Sequence, residues 1–261
     1  MLYSKTYNHP SSNTWVVFIH GVGGSSAIWF KQLREYQKHF NLLLIDLRGH
    51  GKSQKLPDHV TENVYTFKDI GQDVINIMDE LSIHKAHFIG ISLGTIITRV
   101  IAEYHPDKVL SMILGGAVTQ LNIRSSILLW LADQVKSIVP FIWLYSFYAF
   151  ILMPRRRNRE SRMLFIREAK KLSRAEIMRW FKLTSQLSPL LKHLRSHEVP
   201  VPTLYIMGEE DYMFLPLVRK TVNHHQFSTL HIIKSCGHVV NVECPEQFNL
   251  LSLNFLKTIS S

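Results

Sequence analysis

The chain has 261 residues, of which 46% are hydrophobic and 19% charged, with 30 Lys and Arg side chains against 20 Asp and Glu. This length and apolar content suffice for one domain with a sizeable core and an insertion, and they exclude a largely disordered chain. With 12 Gly and only two cysteines, Cys236 and Cys244, a collagen-like or disulfide-stapled architecture is excluded as well.

The net charge of +10 is concentrated in one part of the chain. Residues 121–200 hold 15 basic and 5 acidic side chains, whereas the segments before and after them are nearly neutral. Such an asymmetry predicts a separate structural unit in the middle third. The first ten residues lack a basic segment followed by an apolar run, so we expect a cytoplasmic protein with reduced cysteines.

Short, nearly continuous apolar runs predict strands that are buried on both faces, as in a parallel sheet. They lie at 15–20, 42–46, 86–91, 109–114, 203–207 and, more weakly, 230–233. Apolar residues at three- and four-residue spacing predict helices between them. These helices lie at 68–81 and, with weaker patterns, at 27–39, 94–104 and 245–257. The alternation predicts an α/β fold with a mostly parallel, doubly wound sheet flanked by helices.

Residues 121–195 interrupt this alternation, because only helical and aromatic patterns occur there. We therefore predict a core formed by residues 1–120 and 196–261, with 121–195 as a helical cap inserted between two core strands. The prolines at 200 and 202 mark the return to the sheet, since they disfavour helix.

An uncharged stretch, 138–153, lies within this insertion and is followed directly by arginines at 155–157 and 159. It is shorter than the roughly 20 residues needed to span a bilayer. Pro140 also interrupts it, so we predict no transmembrane helix. Three roles stay open: a helix packed on the core, a lid that lines an apolar acyl pocket, and an interfacial element in peripheral contact with anionic lipid.

A candidate nucleophile lies in the G-x-S-x-G motif formed by residues 90–94. The motif follows a predicted buried strand and opens a predicted helix, which is the setting in which its serine is exposed at the top of a sheet. Ser92 is therefore the candidate nucleophile. The first N–H of the helix, that of Leu93, is a candidate donor to a developing oxyanion.

A second glycine-rich turn, H-G-V-G-G at 20–24, follows the first strong strand. The N–H of Val22 is the second candidate oxyanion donor. A phosphate-binding loop is the alternative, but the G-x-G-x-x-G spacing fails because residue 26 is serine. We interpret His20 as a residue that braces the turn.

A reactive serine requires a base, and the base requires an orienting carboxylate. Among 14 histidines, His238 stands out because it follows the last predicted strand and precedes a helix. Asp211 follows strand 203–207, and the order Ser, Asp, His along the chain is typical of α/β-hydrolases. Glu209 and Glu210 are alternative acids, because either is within reach of the same histidine.

Five segments together make the chain resemble the α/β-hydrolase fold family, serine esterase or lipase type. They are H-G-V-G-G at 20–24, D-L-R-G-H-G-K-S at 46–53, G-I-S-L-G at 90–94, G-E-E-D at 208–211 and G-H-V-V-N-V-E-C-P-E at 237–246. The resemblance implies that Ser92 is the nucleophile, His238 the general base and Asp211 the orienting acid. It also places 121–195 where the family carries its mobile cap.

The expected activity is cleavage of a carboxylic ester with a hydrophobic acyl group through an acyl-enzyme. No metal, no other cofactor and no nucleic acid is expected, and the oligomeric state stays open. Thioesterase, lactonase or carbon–carbon bond hydrolase activity is an alternative on the same residues. So is a small-molecule-sensing signalling module with the same fold.

Other residues are expected to have structural roles. Asp46, Arg48 and His50 are interpreted as parts of a turn of the fold, Cys236 as a small packing residue and Asn241 as a brace for the loop after His238.

Overall fold

A seven-stranded sheet forms the centre of the protein. The computed structural model describes residues 2–54, 65–135 and 138–260. The strands are β1 (Ser4–Tyr7), β2 (Trp15–Ile19), β3 (Asn41–Ile45), β4 (Ala86–Ile91), β5 (Val109–Gly115), β6 (Thr203–Gly208) and β7 (Ser228–Ile233). Their spatial order is β1-β3-β2-β4-β5-β6-β7, and all neighbouring pairs are parallel except β1 with β3. The predicted mostly parallel sheet is confirmed.

The six predicted strands match β2 to β7 within two residues at each end. Every residue of β3, β4 and β6 is buried, which explains why their sequences are continuous rather than alternating apolar runs. The sequence reading missed β1, whose four residues are only half-buried or exposed. This edge strand pairs through its backbone and buries too little side-chain surface to leave an apolar pattern.

Helices cover both faces of the sheet, as predicted. Those of the core are α1 (Phe30–Tyr36), α2 (Phe67–Glu80), α3 (Leu93–Tyr104), α8 (Leu215–Val222), α9 (Val240–Glu243) and α10 (Pro245–Ser260). The predicted helix at 27–39 is instead a 3-10 turn, Ser26–Trp29, followed by the shorter α1. The Ser25 side chain accepts from the N–H of Ala27 and fixes the start of that turn.

Four helices lie between β5 and β6, where the alternation breaks in the sequence. They are α4 (Ile123–Val135), α5 (Phe141–Leu152), α6 (Arg159–Ala169) and α7 (Arg174–Ser196). None of the helices in the described part of the chain has both the length and the apolar character needed to cross a bilayer.

Buried polar contacts attach these inserted helices to the loops that follow β2 and β3. Glu168 of α6 accepts from the Ser25 hydroxyl at 2.8 Å. In α7, Glu176 accepts from the Tyr65 hydroxyl at 2.7 Å, and the indole N–H of Trp180 donates to the carbonyl of Arg48 at 3.0 Å. The inserted helices therefore rest on the edge of the sheet at which the parallel strands end.

Candidate active site

Ser92 lies in the sharp turn between β4 and α3. Its backbone has φ 53° and ψ −118°, a left-handed conformation that is unfavourable for a residue with a side chain. Its N–H donates to the carbonyl of Gly115 in the neighbouring strand at 3.0 Å, which holds the turn to the sheet. The hydroxyl of this half-buried residue faces the cavity described below.

The two glycines of the motif allow this turn to form. A Cβ atom on Gly90 would lie 2.5 Å from the carbonyl oxygen of Gly94, and one on Gly94 would lie 2.2 Å from that of Ile19. Both distances are far inside van der Waals contact. Only glycine at these two positions lets α3 begin so close to the neighbouring strands.

His238 connects Ser92 to Asp211. The Ser92 hydroxyl donates to Nε2 of His238 at 2.9 Å, and the Nδ1–H of the same ring donates to Oδ2 of Asp211 at 2.7 Å. His238 and Asp211 are 2% and 1% exposed, so water does not compete for these bonds. The structure thus brings the three predicted residues, which follow three different strands, into one hydrogen-bonded chain.

Asp211 is the carboxylate that contacts this histidine. Its second oxygen accepts from the N–H of Phe214 at 3.1 Å, which fixes the orientation of the carboxylate. Glu209 instead accepts from the N–H of Ser235, and Glu210 pairs with arginines of the insertion, including Arg155 at 3.0 Å. Of the three acids that the sequence left open, only Asp211 is oriented toward His238.

Asp211 determines the protonation behaviour of His238. Burial of the ring lowers its pKa, but the charge of Asp211, the hydrogen bond to it and the more distant charge of Glu243 together outweigh burial. The net effect raises the pKa of His238 above its ordinary value of 6.5. A more basic imidazole is better suited to accept the proton of the serine hydroxyl.

The loop that carries His238 is held by a residue that the sequence analysis missed. Glu243, at the end of the short helix α9, accepts from the N–H of Gly237 at 2.9 Å and from that of Val239 at 3.3 Å. Its carboxylate also accepts from Ser161 of α6 at 3.2 Å. The sequence does not reveal this role, because a glutamate five residues after a histidine is not a recognised motif. The role arises only because the loop folds back and brings the N–H groups of Gly237 and Val239 to the carboxylate.

Asn241 lies one turn after His238 and connects that loop to the first helix of the chain. Its side-chain N–H groups donate to the backbone carbonyl of Ile28 and to the side-chain oxygen of Gln32, and the backbone carbonyl of Asn241 accepts from the Gln32 side chain at 2.9 Å. Cys236, on the other side of the histidine, is fully buried, and burial raises the pKa of its thiol. The contacts of both residues fit the structural roles expected for them.

The peptide that carries the N–H of Val22 is fixed from its opposite side. The carbonyl of Gly21, in the same peptide unit, accepts from Nδ1 of the buried His20 at 2.7 Å and from the N–H of Gly24 at 3.1 Å. Because N–H and C=O point in opposite directions across a trans peptide, the N–H of Val22 points away from His20. Nε2 of His20 accepts from the N–H of Leu47 at 3.0 Å, so the ring holds two loops together.

The next peptide of this loop is held at both ends. Nε2 of His50 accepts from the N–H of Gly23 at 2.9 Å, and the hydroxyl of Tyr145 donates to the carbonyl of Val22 at 2.9 Å. Burial, with a smaller effect of His20, lowers the pKa of His50 to about 3, which keeps its nitrogen free to accept. Tyr145 lies in α5, and the sequence analysis missed it because the contact joins residues far apart in the chain.

The polar residues of the turn after β3 have structural contacts of the same kind. The carboxylate of Asp46 accepts from the N–H of Ser26 at 2.7 Å and from that of Lys52 at 2.8 Å. The guanidinium of Arg48 pairs with Asp73 of α2, with an Nη2 to Oδ1 distance of 2.8 Å. These two side chains connect loops and a helix, and none of these contacts involves Ser92.

A cavity of about 780 Å³ opens beside Ser92 and is roofed by the inserted helices. Most of its lining is apolar, with side chains from α4, α5 and α7, including Leu128, Leu144 and Phe181. Arg174 is the one charged side chain among the described residues of the lining. The residues placed as candidate oxyanion donors, Val22 and Leu93, line the same cavity.

This geometry can support acyl transfer. It provides a hydroxyl that is hydrogen-bonded to a buried imidazole–carboxylate pair, and a mostly apolar cavity whose lining includes Ser92 and the two predicted donors, Val22 and Leu93. Among the described residues there is no cluster of three His, Cys, Asp or Glu side chains suited to hold a metal ion.

Comparison with known proteins identifies the family to which this chain belongs. A family model described as alpha/beta hydrolase fold matches residues 14–245, and the chain belongs to this family. The family and the names of several relatives indicate a hydrolase.

Three similar proteins illustrate the range of the family. The 3-oxoadipate enol-lactonase 1 of Acinetobacter baylyi is 24% identical over 270 residues, which cover 98% of this chain and 93% of that protein. The structure of MenH from S. aureus has a TM-score of 0.85 at 21% identity and covers 100% of both chains. A thermophilic esterase from Thermogutta terrifontis has a TM-score of 0.81 at 18% identity, with 100% of this chain and 94% of that chain covered. These two structural likenesses show the fold alone.

The raised pKa of His238 predicts the pH dependence of catalysis. Because the imidazole must be neutral to accept a proton, kcat/KM for a soluble ester should rise with pH, with an apparent pKa above 6.5. Asp211→Asn removes the charge that raises this pKa, so the apparent pKa should fall, and kcat should drop by roughly 10⁴-fold.

The matched control is Glu210→Gln, which removes a neighbouring carboxylate that contacts arginines rather than the ring. The apparent pKa should be unchanged in this variant. An equal shift in both variants, or a wild-type value below 6.5, would contradict the assignment of Asp211.

Proposed function

We propose that the protein is a serine hydrolase that cleaves carboxylic esters through an acyl-enzyme, with a hydrophobic acyl group bound in the cavity. The observation that carries this proposal is the hydrogen-bonded chain from Ser92 through His238 to Asp211, which ends at the wall of an apolar cavity.

The first half of the reaction forms the acyl-enzyme. Oγ of Ser92 attacks the ester carbonyl carbon while Nε2 of His238 takes its proton, and the carbonyl oxygen becomes an oxyanion. The N–H groups of Leu93 and Val22 donate to that oxygen. The carbon–oxygen bond to the alcohol then breaks, and His238 returns the proton to the departing alkoxide. Asp211 stays ionised throughout and stabilises the imidazolium.

The second half releases the acid. Water loses a proton to Nε2 of His238 and attacks the acyl carbon, and the oxyanion forms again between the same two N–H groups. Collapse of this intermediate breaks the bond to Ser92, whose oxygen takes the proton back from His238. The free carboxylic acid leaves, and the residues return to their starting state.

Within this proposal, residues 121–195 form a cap over a core made of residues 1–120 and 196–261. The inserted helices supply most of the cavity lining, and Tyr145 connects α5 directly to the carbonyl of Val22. The cap would therefore both select the acyl group and hold the peptide next to the one that carries the Val22 N–H.

The ester class is supported by the name of one similar protein. The Acinetobacter baylyi relative is named an enol-lactonase, and a lactone is a cyclic ester. The apolar lining supports an uncharged acyl chain, because a buried carboxylate would need a partner and the only lining cation of the described residues, Arg174, is exposed.

A fluorophosphonate probe tests the activated nucleophile directly. We expect the wild-type protein to be phosphonylated at Ser92, and Ser92→Ala to be unlabelled and to lose about 10⁶-fold in kcat on an ester substrate. Ser185→Ala is the control, since Ser185 is an exposed serine of α7 outside the cavity. It should be labelled like the wild type. Labelling of Ser92→Ala at the wild-type rate would contradict the proposal.

A series of p-nitrophenyl esters tests the acyl specificity. Each methylene buried in the cavity contributes about 0.8 kcal/mol, so burying two of the extra carbons of an octanoyl chain raises kcat/KM about tenfold over acetate. Ala132→Phe should abolish this preference, because Ala132 lines the cavity. Ala175→Phe adds the same ring at an exposed position outside the lining and should retain it. A wild-type optimum at acetate, without activity on longer chains, would contradict a hydrophobic acyl substrate.

A further inference from the structure

Helix α5 is apolar on both of its faces. One face, with Phe141, Leu144, Tyr145 and Tyr148, lines the cavity. Residues on the other side of the helix point outward, yet they are just as apolar. A helix that is apolar all round is normally enclosed on all sides, by protein or by lipid. Within the residues that the structure describes, nothing encloses the outward side of α5 in this way.

The outward face of α5 carries three aromatic side chains. Trp143, Phe147 and Phe150 follow one another at the i, i+4, i+7 spacing of one helix face, and they are 70%, 62% and 57% exposed. The guanidinium of Arg162 lies 4.7 Å from the centre of the Phe150 ring. One end of the aromatic row is therefore in contact with a cation.

Helix α4 repeats this pattern. Ile123, Ile127 and Trp130 have the same helical spacing and are all exposed, as is Leu131 beside them. We call the exposed apolar residues of both helices and their linker the outer apolar surface. It comprises Ile123, Ile127, Trp130, Leu131, Ile138, Trp143, Phe147 and Phe150. Single exposed apolar residues are common in proteins, whereas a concentration of this kind marks an interaction surface.

The outer apolar surface and the cavity beside Ser92 share three residues. Leu131, Ile138 and Phe147 belong to the outer apolar surface and also line the cavity. The apolar lining of the cavity is therefore continuous with part of this surface.

Arginines lie at the end of α5 next to the aromatic row. Arg155 and Arg157 are about half exposed and pair with Glu210, so they still present donors to the outside. Arg156 and Arg159 are exposed and form no ion pair with any residue that the structure describes. Exposed aromatics beside arginines are the composition that favours insertion of rings at a bilayer interface and contact of guanidinium groups with phosphate.

We propose that the outer apolar surface docks on an anionic phospholipid bilayer, so that acyl substrates pass from the lipid into the cavity. A second copy of the chain is disfavoured as the occupant, because it would bring the same strongly basic segment, 15 basic against 5 acidic residues over 121–200, against itself. Docking goes beyond ester hydrolysis and does not depend on it, whereas the passage of acyl substrates rests on the proposed function.

Co-sedimentation with vesicles tests the docking. Wild-type protein should bind vesicles of equal parts phosphatidylcholine and phosphatidylglycerol more tightly than phosphatidylcholine alone, and high salt should weaken the binding. Trp143→Gln combined with Phe150→Gln should reduce the partition coefficient at least about tenfold. Neither residue lines the cavity. Arg156→Gln combined with Arg159→Gln should remove the preference for the anionic vesicles.

Matched control variants distinguish a specific role of the outer apolar surface from a general effect of removing exposed apolar or charged residues. Leu250→Gln combined with Phe227→Gln removes two exposed apolar residues elsewhere, and Arg34→Gln combined with Arg219→Gln removes two exposed charges elsewhere. Both controls should bind vesicles like the wild type. All variants should keep the wild-type kcat/KM on a water-soluble ester. If the wild-type protein cleaves no ester, the proposed function fails, and circular dichroism spectra identical to that of the wild type then show that the variants are folded, so that docking can still be tested.

Quenching by brominated phosphatidylcholine, mixed with the anionic lipid, locates the contact. Trp143 fluorescence should be quenched in wild type, and quenching should fall in Trp143→Phe while binding persists. Absence of vesicle binding, or equal binding by the Trp143/Phe150 variant, would overturn the proposal. A third result would also overturn it: light scattering shows that the wild-type protein is a dimer, the Trp143/Phe150 variant is a monomer, and neither protein binds vesicles.

Discussion

The hydrogen bond between the Ser92 hydroxyl and Nε2 of His238 is the interaction on which the site depends. It requires that residues from opposite halves of the chain meet within 2.9 Å. The parallel sheet makes this possible, because the carboxyl ends of β4, β6 and β7 lie at one edge. The left-handed backbone of Ser92 then directs its hydroxyl away from the strand that carries it. Gly90 and Gly94 permit this turn, because a Cβ atom at either position would collide with the backbone of a neighbouring segment.

Hydrogen bonds between buried or half-buried side chains and backbone atoms recur in the loops around this bond. His20, His50, Glu243 and Asn241 each make at least one such bond. Buried bonds of this kind resist exchange with water and therefore hold peptide groups in fixed directions. An oxyanion donor has to be in place before charge develops, so fixed peptides are what acyl transfer requires.

Local patterns in the sequence were sufficient for much of the fold. Buried parallel strands appear as continuous apolar runs, and so β3, β4 and β6 could be found, whereas the half-exposed edge strand β1 could not. The sequence motifs also singled out Ser92, His238 and Asp211. Reach along the chain left Glu209 and Glu210 open beside Asp211, and it was the family resemblance that favoured Asp211. The structure adds the direction of each carboxylate, and only that of Asp211 among these three contacts His238. Tyr145 was not predictable, since its role arises only where α5 meets the β2 loop.

The crystal structure of the protein after reaction with a long-chain alkyl fluorophosphonate would test the central idea most directly. We expect phosphorus bonded to Oγ of Ser92, its oxygen within hydrogen-bonding distance of the N–H groups of Leu93 and Val22, and the alkyl chain in the cavity under α4 and α5. Phosphorus on a different residue, or an imidazole at 238 turned away from Ser92, would contradict it.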